Sequence, residues 1–582
     1  MKGVSYKELK KKWISEGEIP PWYSTNALQF FMQKYSYRQE SVRSRMMAVA
    51  TYLEKYAPHI KPDWWEEDEY TKGKTWGEVF FNLNWDGYAV PSTPLFANAG
   101  VPDRGMTVSC SGQDLQNSIA SKSFMIGELE QLIKNSHGCS VSLEDWLAEG
   151  DIYDSDGNIS EGILPIIKEI QEKTASTNQG IRRGQTLIGI GAEHGDFWKV
   201  ASYLEEHNAD LNIAWIIRDS FIEKLNNEDE EVLQRLARMI QLRMKTGKGY
   251  FTKVDTMNRN KAEVFKLLDM EVKGSNLCNE VNLPVTDKYS FTCVIYNANL
   301  LLWDKFPKHF FQLLHIMQDC NVSGYLDQID AKKGLSRLFL NRVYDFTKDF
   351  RAVGSGVCGF HSLLMEKEIA IGDIESYQLN AEIFSTMQSE TRKANIWLAD
   401  VMGVPEGIKR SGLHLRNATT MFAPPTKSST ELAFGSPSEG VGMQTGMVKV
   451  KESTGGDLLR IESSFLKVMK RFGKYNQEEV NRIAQMKGSV QSLEWLPDNL
   501  KRVHRVGFEV PMEAHLNLCS QRQPFYDQQQ SINLWLSGGE DEEYIGEIHK
   551  QALLDDNING LYYCYSTRGG VFTRIKECEV CQ

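Results

Sequence analysis

No stretch of this chain stays apolar for the roughly 18–20 residues that a membrane-spanning helix requires. The N-terminus, with Lys2, Lys7 and Lys10 to Lys12, also lacks the apolar core of a signal peptide. A cytoplasmic protein that stays out of membranes is therefore expected. Positive charge is in short supply too: 66 Lys and Arg face 77 Asp and Glu, a net charge of −11. That balance argues against a nucleic-acid polymer as partner, while leaving single nucleotides open, because a few backbone N–H groups at a helix start hold a phosphate. Only the terminal cysteine pair has C-x-x-C spacing, with no second pair or His pair to complete a zinc site. In a reducing compartment the ten cysteines do not read as a disulfide framework. Cys139, Cys320, Cys358, Cys519 and Cys564 read as small buried hydrophobes.

Short-period repeats and low-complexity linkers are absent as well. Residues 1–90 read as a mostly helical region, with apolar positions at three- and four-residue spacing over Ala27 to Tyr37 and Val42 to Tyr56. Trp64, Trp65 and the acidic run Glu66 to Glu69 read as surface and interface material. From Pro91 onward, strand-like runs such as Gln185 to Ile190 and Ser290 to Tyr296 alternate with helical segments. One of these is an amphipathic helix over Glu231 to Thr246, with Val232, Leu233, Leu236, Met239 and Ile240 on one side and Gly247 ending it. Alternation over several hundred residues predicts a large α/β architecture at 91–568. The stretch 569–582, after the glycine pair, reads as a flexible tail.

What is present is a set of redox-capable side chains. Asn276-Leu277-Cys278-Asn279-Glu280 places an amide and a carboxylate two residues either side of a thiol. In an extended segment all three project to one side, where the carboxylate can take a proton and the amide can orient hydroxyls. Cys110 lies far upstream and Cys293 just downstream. Tyr562-Tyr563 precedes a tail ending Cys578-Glu579-Val580-Cys581. A C-x-x-C pair can resolve its own mixed disulfide, and the fifteen residues from Tyr563 to Cys578 reach about 50 Å when extended.

Together these features resemble the large, catalytic subunit of class I ribonucleotide reductases. The resemblance implies a ten-stranded thiyl-radical α/β barrel, two antiparallel-packed parallel halves with a finger loop carrying Cys278. It implies reduction of ribonucleotides, as diphosphates, to 2′-deoxyribonucleotides for DNA synthesis. Cys278 is then the thiyl position, Glu280 the base for the 3′-hydroxyl, Asn276 the amide that orients the sugar, and Cys110 with Cys293 the pair that ends as a disulfide. Tyr562 and Tyr563 relay an oxidising equivalent from a separate small subunit that carries the metal cofactor; this chain itself binds none. Cys578 and Cys581 re-reduce the buried disulfide and take electrons from thioredoxin or a glutaredoxin-like protein.

Further segments match the family. Thr93 and Ser109 are implied in contacts to the substrate's phosphate or ribose. The turn Pro424-Pro425-Thr426-Lys427-Ser428-Ser429 matches its phosphate-binding turn, Thr426, Lys427, Ser428 and Ser429 supplying donors. Asp114 matches a carboxylate that accepts from the deoxyribose of a nucleoside triphosphate effector. Arg182 and Arg183 lie in the loop that couples effector to substrate, and the family places that site at a homodimer interface. Residues 1–90 do not resemble a complete ATP-cone, so no cone-mediated shutdown by dATP is expected. After Tyr563 the chain runs Cys564-Tyr565-Ser566-Thr567-Arg568, which displaces the arginine from its commonest spacing. Two other readings stay open at this level: an adenosylcobalamin-dependent class II enzyme and an inactive nucleotide-binding paralogue.

Overall fold

The computed structural model describes residues 5–153, 155–177, 184–207, 211–451 and 458–567. Arg182, Arg183, Cys578 and Cys581 lie outside them. Four helices open the chain, Tyr6–Ser15, Thr25–Lys34, Val42–Glu54 and Trp76–Trp85. Ser5, Ser24, Ser41 and Thr75 cap them, each side chain accepting from a backbone N–H of the first turn. They pack with the long helices Phe310–Asp330 and Ile374–Met402 around one apolar core. Trp65 belongs to that core with no exposed surface, against the surface position its acidic neighbours suggest. Trp64 is half-buried and stacks on His309 with ring centroids 4.0 Å apart. Glu66, Glu67 and Glu69 do point outward.

After β1 (Ala89–Pro91) come five strands that run parallel in chain order: β2 (Cys110–Asp114), β3 (Gly138–Ser142), β4 (Thr186–Gly191), β5 (Asn212–Ile217) and β6 (Tyr250–Lys253). Parallel neighbours need crossovers, and helices such as Ile119–Lys134, Leu164–Ser176 and Phe197–Glu206 supply them. The helix before β6 spans Glu230–Thr246, with Gly247 in the left-handed region at φ 74° closing it. Val232, Leu236 and Met239 are buried as their spacing predicts, but Leu233 is 42% exposed. Arg235 and Arg243 occupy the buried face instead.

β7 (Phe291–Asn299) turns the chain round, pairing antiparallel with β1 and β2 and parallel with β8 (Val353–Cys358). The ring continues through short bridged segments, Ser355 to Met421 and Ala423 to Gln530, both parallel. A hairpin of β9 (Val448–Lys451) and β10 (Leu458–Ile461) stands off this ring. β11 (Leu534–Leu536) and β13 (Cys564–Ser566) pair in parallel. Between them Tyr562 donates its N–H to the Ile532 carbonyl at 2.7 Å. β12 (Gly560–Leu561) then pairs antiparallel with β6. Two parallel halves thus meet at two antiparallel seams, β2 with β7 and β6 with β12, and the sheet closes on itself.

The segment between β6 and β7 enters this ring. From Ser275 to Val285 it carries no regular hydrogen-bonded element, yet every residue is buried. Buried backbone must find partners, and here side chains of the opposite half supply them. Gln529 gives its amide to the Asn279 carbonyl at 2.9 Å and its backbone N–H to the Glu280 carbonyl at 3.1 Å. Ser531 donates to the Cys278 carbonyl at 2.5 Å.

Candidate active site

Cys110 opens β2 and sits directly opposite Cys293 of β7 in the antiparallel register. Residues so paired have Cβ atoms about 4.5–5.5 Å apart, whereas a disulfide needs about 3.5–4.5 Å. A shift of about 1 Å therefore lets these thiols join. Both are buried and neither is in a disulfide. Burial pushes the Cys110 thiol well above its usual range, and the nearby Glu280 adds to the effect. Cys293 is raised in the same way. Both are held as neutral S–H groups, able to give a proton or a hydrogen atom but poor as thiolate nucleophiles.

The pentapeptide does not run extended. Asn279 donates its N–H to the Asn276 carbonyl at 3.0 Å, and Asn279 itself lies at φ 59°. That is a tight turn with Cys278 near its tip. Asn276 and Glu280 converge through the turn, not through strand alternation: the Asn276 amide donates to the Glu280 carboxylate at 2.8 Å. The same amide reaches the Cys110 sulfur at 3.4 Å, and the Cys110 thiol donates to Glu280 at 3.9 Å. The Asn276 side-chain Oδ1 accepts from the backbone N–H groups of Glu280 and Val281, at 3.0 and 3.1 Å. An asparagine here both builds the turn and fixes the carboxylate.

Glu280 is fully buried, and desolvation raises its carboxyl to about 7 against hydrogen bonds from Asn276, its own backbone, Ser531 and Cys110. A base with such a value takes protons efficiently near neutral pH. A carboxyl acting as a base must be ionised, so with Glu280 in that role turnover is expected to rise with pH through a midpoint near 7. Glu280→Gln should slow turnover roughly 10²–10³-fold and abolish that limb; an unaltered pH–rate profile in the variant would refute this assignment.

Three residues of the site escaped the sequence reading. Gln528 donates one amide to the Cys293 sulfur at 3.3 Å, to the Val353 carbonyl at 3.2 Å and to the Thr419 hydroxyl at 3.2 Å. Gln529 and Ser531 hold the turn, Ser531 also donating to Glu280 at 3.4 Å. The signal was there: a polar run, Gln528 to Ser531, directly precedes Ile532-Asn533-Leu534-Trp535-Leu536, apolar at four of its five positions. Gln528→Leu should lower kcat about 10-fold, with KM held, by letting the Cys293 sulfur drift. It should also destabilise the fold by about 1–3 kcal/mol through orphaned buried partners. Steady-state kinetics with thermal melts check both; a change in KM alone would contradict the positioning role.

On the other side of the turn, Leu277 and Cys278 pack in one buried cluster with Tyr250, Tyr562 and Tyr563. Ring centroids of Tyr562 and Tyr563 lie 4.3 Å apart, and Tyr250 sits 4.7 Å from the first and 5.2 Å from the second. The two tyrosines, nearly 300 residues downstream of the thiol, are thus brought against it by the β12 seam.

The family that the sequence suggested is met by comparison as well as by geometry. Residues 231–414 and 404–564 match the family described as ribonucleotide reductase, barrel domain. The chain belongs to the ribonucleotide reductase family, as a large subunit. Its fold is similar to the Actinobacillus ureae class Id ribonucleotide reductase alpha subunit, with a TM-score of 0.82 and 26% identity over 94% of this chain and 97% of that one. A provisionally named ribonucleoside-diphosphate reductase large subunit of Frog virus 3 (isolate Goorha) is 24% identical over 531 residues, 86% of this chain and 90% of that protein. A vitamin B12-dependent ribonucleoside-diphosphate reductase of Thermoplasma acidophilum is 23% identical over 488 residues, 80% of this chain and 62% of that protein.

The remaining positions expected for a ribonucleotide reductase fall as follows. Ser109 adjoins Cys110, its hydroxyl 3.6 Å from the sulfur. Thr93 is buried, with its hydroxyl 2.9 Å from the Tyr35 phenol. The turn at 424–429 lies beside it, because Ser429 donates to the Pro91 carbonyl at 3.2 Å. Thr426 accepts from the Gly440 N–H at 2.9 Å, and Ser428 is buried at the start of the short helix Lys427–Leu432. Lys427 lines a cavity with Lys449 and Arg460. Asp114 ends the strand that Cys110 begins. Its carboxylate is buried between Arg342 at 3.1 Å and Lys273 at 3.5 Å. Arg342 also pairs with Glu128 at 3.3 Å, a carboxyl that burial raises to about 7. Among the described residues no helix is long and apolar enough to cross a membrane.

Proposed function

We propose that this chain reduces ribonucleoside diphosphates by thiyl-radical chemistry at Cys278, with electrons from Cys110 and Cys293. The observation that carries the reading is the register pair Cys110–Cys293, tied by Asn276 and Glu280 to the turn that bears Cys278. A separate small subunit supplies one oxidising equivalent when bound. Tyr563 and Tyr562 pass it inward, and the Cys278 S–H gives up a hydrogen atom.

The thiyl radical takes the 3′-hydrogen of the ribose, breaking C–H and forming S–H. Glu280 removes the 3′-hydroxyl proton while Cys110, kept protonated by burial, gives its proton to the departing 2′-oxygen, which leaves as water. The two thiols supply two electrons and two hydrogens, one leaving in the water and one forming the new C–H bond at the 2′-carbon, and end as the Cys110–Cys293 disulfide, while Glu280 returns its proton to the 3′-oxygen. Cys278 returns its hydrogen to the 3′-carbon and is again a radical. Asn276 holds the carboxylate in place throughout, and Thr93, Ser109 and the 426–429 turn hold ribose and phosphate.

The tail Cys578–Cys581 then re-reduces the buried pair by thiol–disulfide exchange, drawing on thioredoxin or a glutaredoxin-like protein. Asp114, with Arg182 and Arg183, serves a nucleoside triphosphate effector across a homodimer interface, and the enzyme works in the cytoplasm. Cytidine diphosphate set beside cytidine triphosphate, with a ferritin-like small subunit, an effector and a dithiol, tests the reading. Deoxycytidine diphosphate is the expected product; turnover of the triphosphate alone would overturn the substrate assignment.

A further inference from the structure

A third phenol, Tyr565, stands in line with the tyrosine pair. Side chains two apart on a strand share a face, so Tyr565 of β13 falls on the side of Tyr563. Cys564 turns the other way, its sulfur 3.7 Å from that of Met244. The rings of Tyr563 and Tyr565 are 6.0 Å apart. Trp535 of β11 is the register partner of Tyr565, and the two rings stack 5.7 Å apart at 14°. Gly507 makes room for that stack, since a Cβ there would lie 2.8 Å from the indole. The aromatic series Trp535, Tyr565, Tyr563, Tyr562 thus runs unbroken from the Cys278 cluster outward.

It ends at a cavity of about 380 Å³ lined by Tyr565, Trp535 and Glu439, which reaches the N-terminal helix Thr25–Lys34. Tyr565 is half-buried, whereas Tyr562 and Tyr563 are buried. Of the three phenols it is the one placed to meet an external oxidant.

We propose that Tyr565 is an additional redox relay, the point at which the oxidising equivalent enters this chain. The proposal rests on the radical-relay reading above. The small subunit's one-electron oxidant takes an electron from Tyr565, whose phenolic proton passes to the Glu439 carboxylate in the cavity. Tyr563 then gives a hydrogen atom to the Tyr565 phenoxyl, restoring its O–H. Tyr562 does the same for Tyr563, and Cys278 for Tyr562, so that one electron leaves and one thiyl radical remains.

The test uses the full chain with its small subunit, cytidine diphosphate, effector and dithiol. Tyr565→Phe keeps the ring and loses the O–H; turnover should fall about 100-fold while substrate binding is unchanged. With 3-aminotyrosine introduced at position 565, an easily oxidised phenol, an aminotyrosyl radical should be detected by electron paramagnetic resonance. Full turnover in Tyr565→Phe beside a dead Tyr563→Phe would overturn the proposal and leave the tyrosine-pair relay standing. Loss of turnover with no radical at position 565 would also overturn it, reducing Tyr565 to packing. Full turnover in both phenylalanine variants would overturn the relay reading itself.

Discussion

Cys278→Ser should abolish deoxyribonucleotide formation, by roughly 10⁴-fold or more, while substrate and effector still bind. The thiol is fully buried at the tip of a turn whose carbonyl is held by Ser531. Serine is close in volume, so the turn, the Asn276–Glu280 hydrogen bond and the neighbouring tyrosine cluster should survive. What is lost is an S–H bond weak enough to be broken by a tyrosyl radical; a serine O–H is far stronger. Equilibrium binding of cytidine diphosphate, measured beside turnover, separates the chemistry from folding. Turnover within about 10-fold of the parent would show that Cys278 is not the radical position.

Cys110→Ser and Cys293→Ser should each end repeated turnover with an external dithiol, a loss of roughly 10³-fold or more. The two losses should not add, because either thiol alone cannot supply two electrons and form the bond. Their direct opposition across the β2–β7 seam is what makes them one unit. With the parent chain fully reduced beforehand and no dithiol present, turnover should stop once the pair is oxidised. Peptide mapping should then find Cys110 linked to Cys293. A linkage of either one to another cysteine, or independent partial losses in the variants, would contradict the pairing.

The members of the candidate site were legible in the sequence as residue types: thiols, a carboxylate with an amide nearby, adjacent phenols. Their meeting was not. Cys110 and Cys293 are brought together by strand register, which nothing local encodes at that separation. Asn276 and Glu280 do converge, but alternation was the wrong reason. Asn279 takes a left-handed conformation, which asparagine tolerates better than most residues, and the segment folds into a turn. The run Gln528 to Ser531 carries no motif of its own, and polar residues ordinarily lie at a surface. In a barrel packed from both sides such a run must instead be satisfied internally, and here it is spent on Cys293 and the Cys278 turn.

Trp65 is likewise buried where its surroundings suggest a surface. The acidic run after it suggested exposure, yet the indole fills the core while the carboxylates fan outward. Leu233 keeps the helical spacing but is exposed, while Arg235 and Arg243 are buried, their guanidinium groups donating to the Ala192 and Gly249 carbonyls. In the fold as a whole, alternating strands and helices announced an α/β protein. The seams that close the ring depend on two pairings, β2 with β7 and β6 with β12, between segments remote in sequence. Periodicity carries no information about such pairings.

The most direct test is deoxycytidine diphosphate formation by the purified chain with dithiol and effector, run in parallel with a ferritin-like small subunit or with adenosylcobalamin. Turnover only with the small subunit is the predicted result, and it would give Tyr562 and Tyr563 their place in the radical route. Turnover with adenosylcobalamin alone would contradict the account and leave those tyrosines as packing around Cys278.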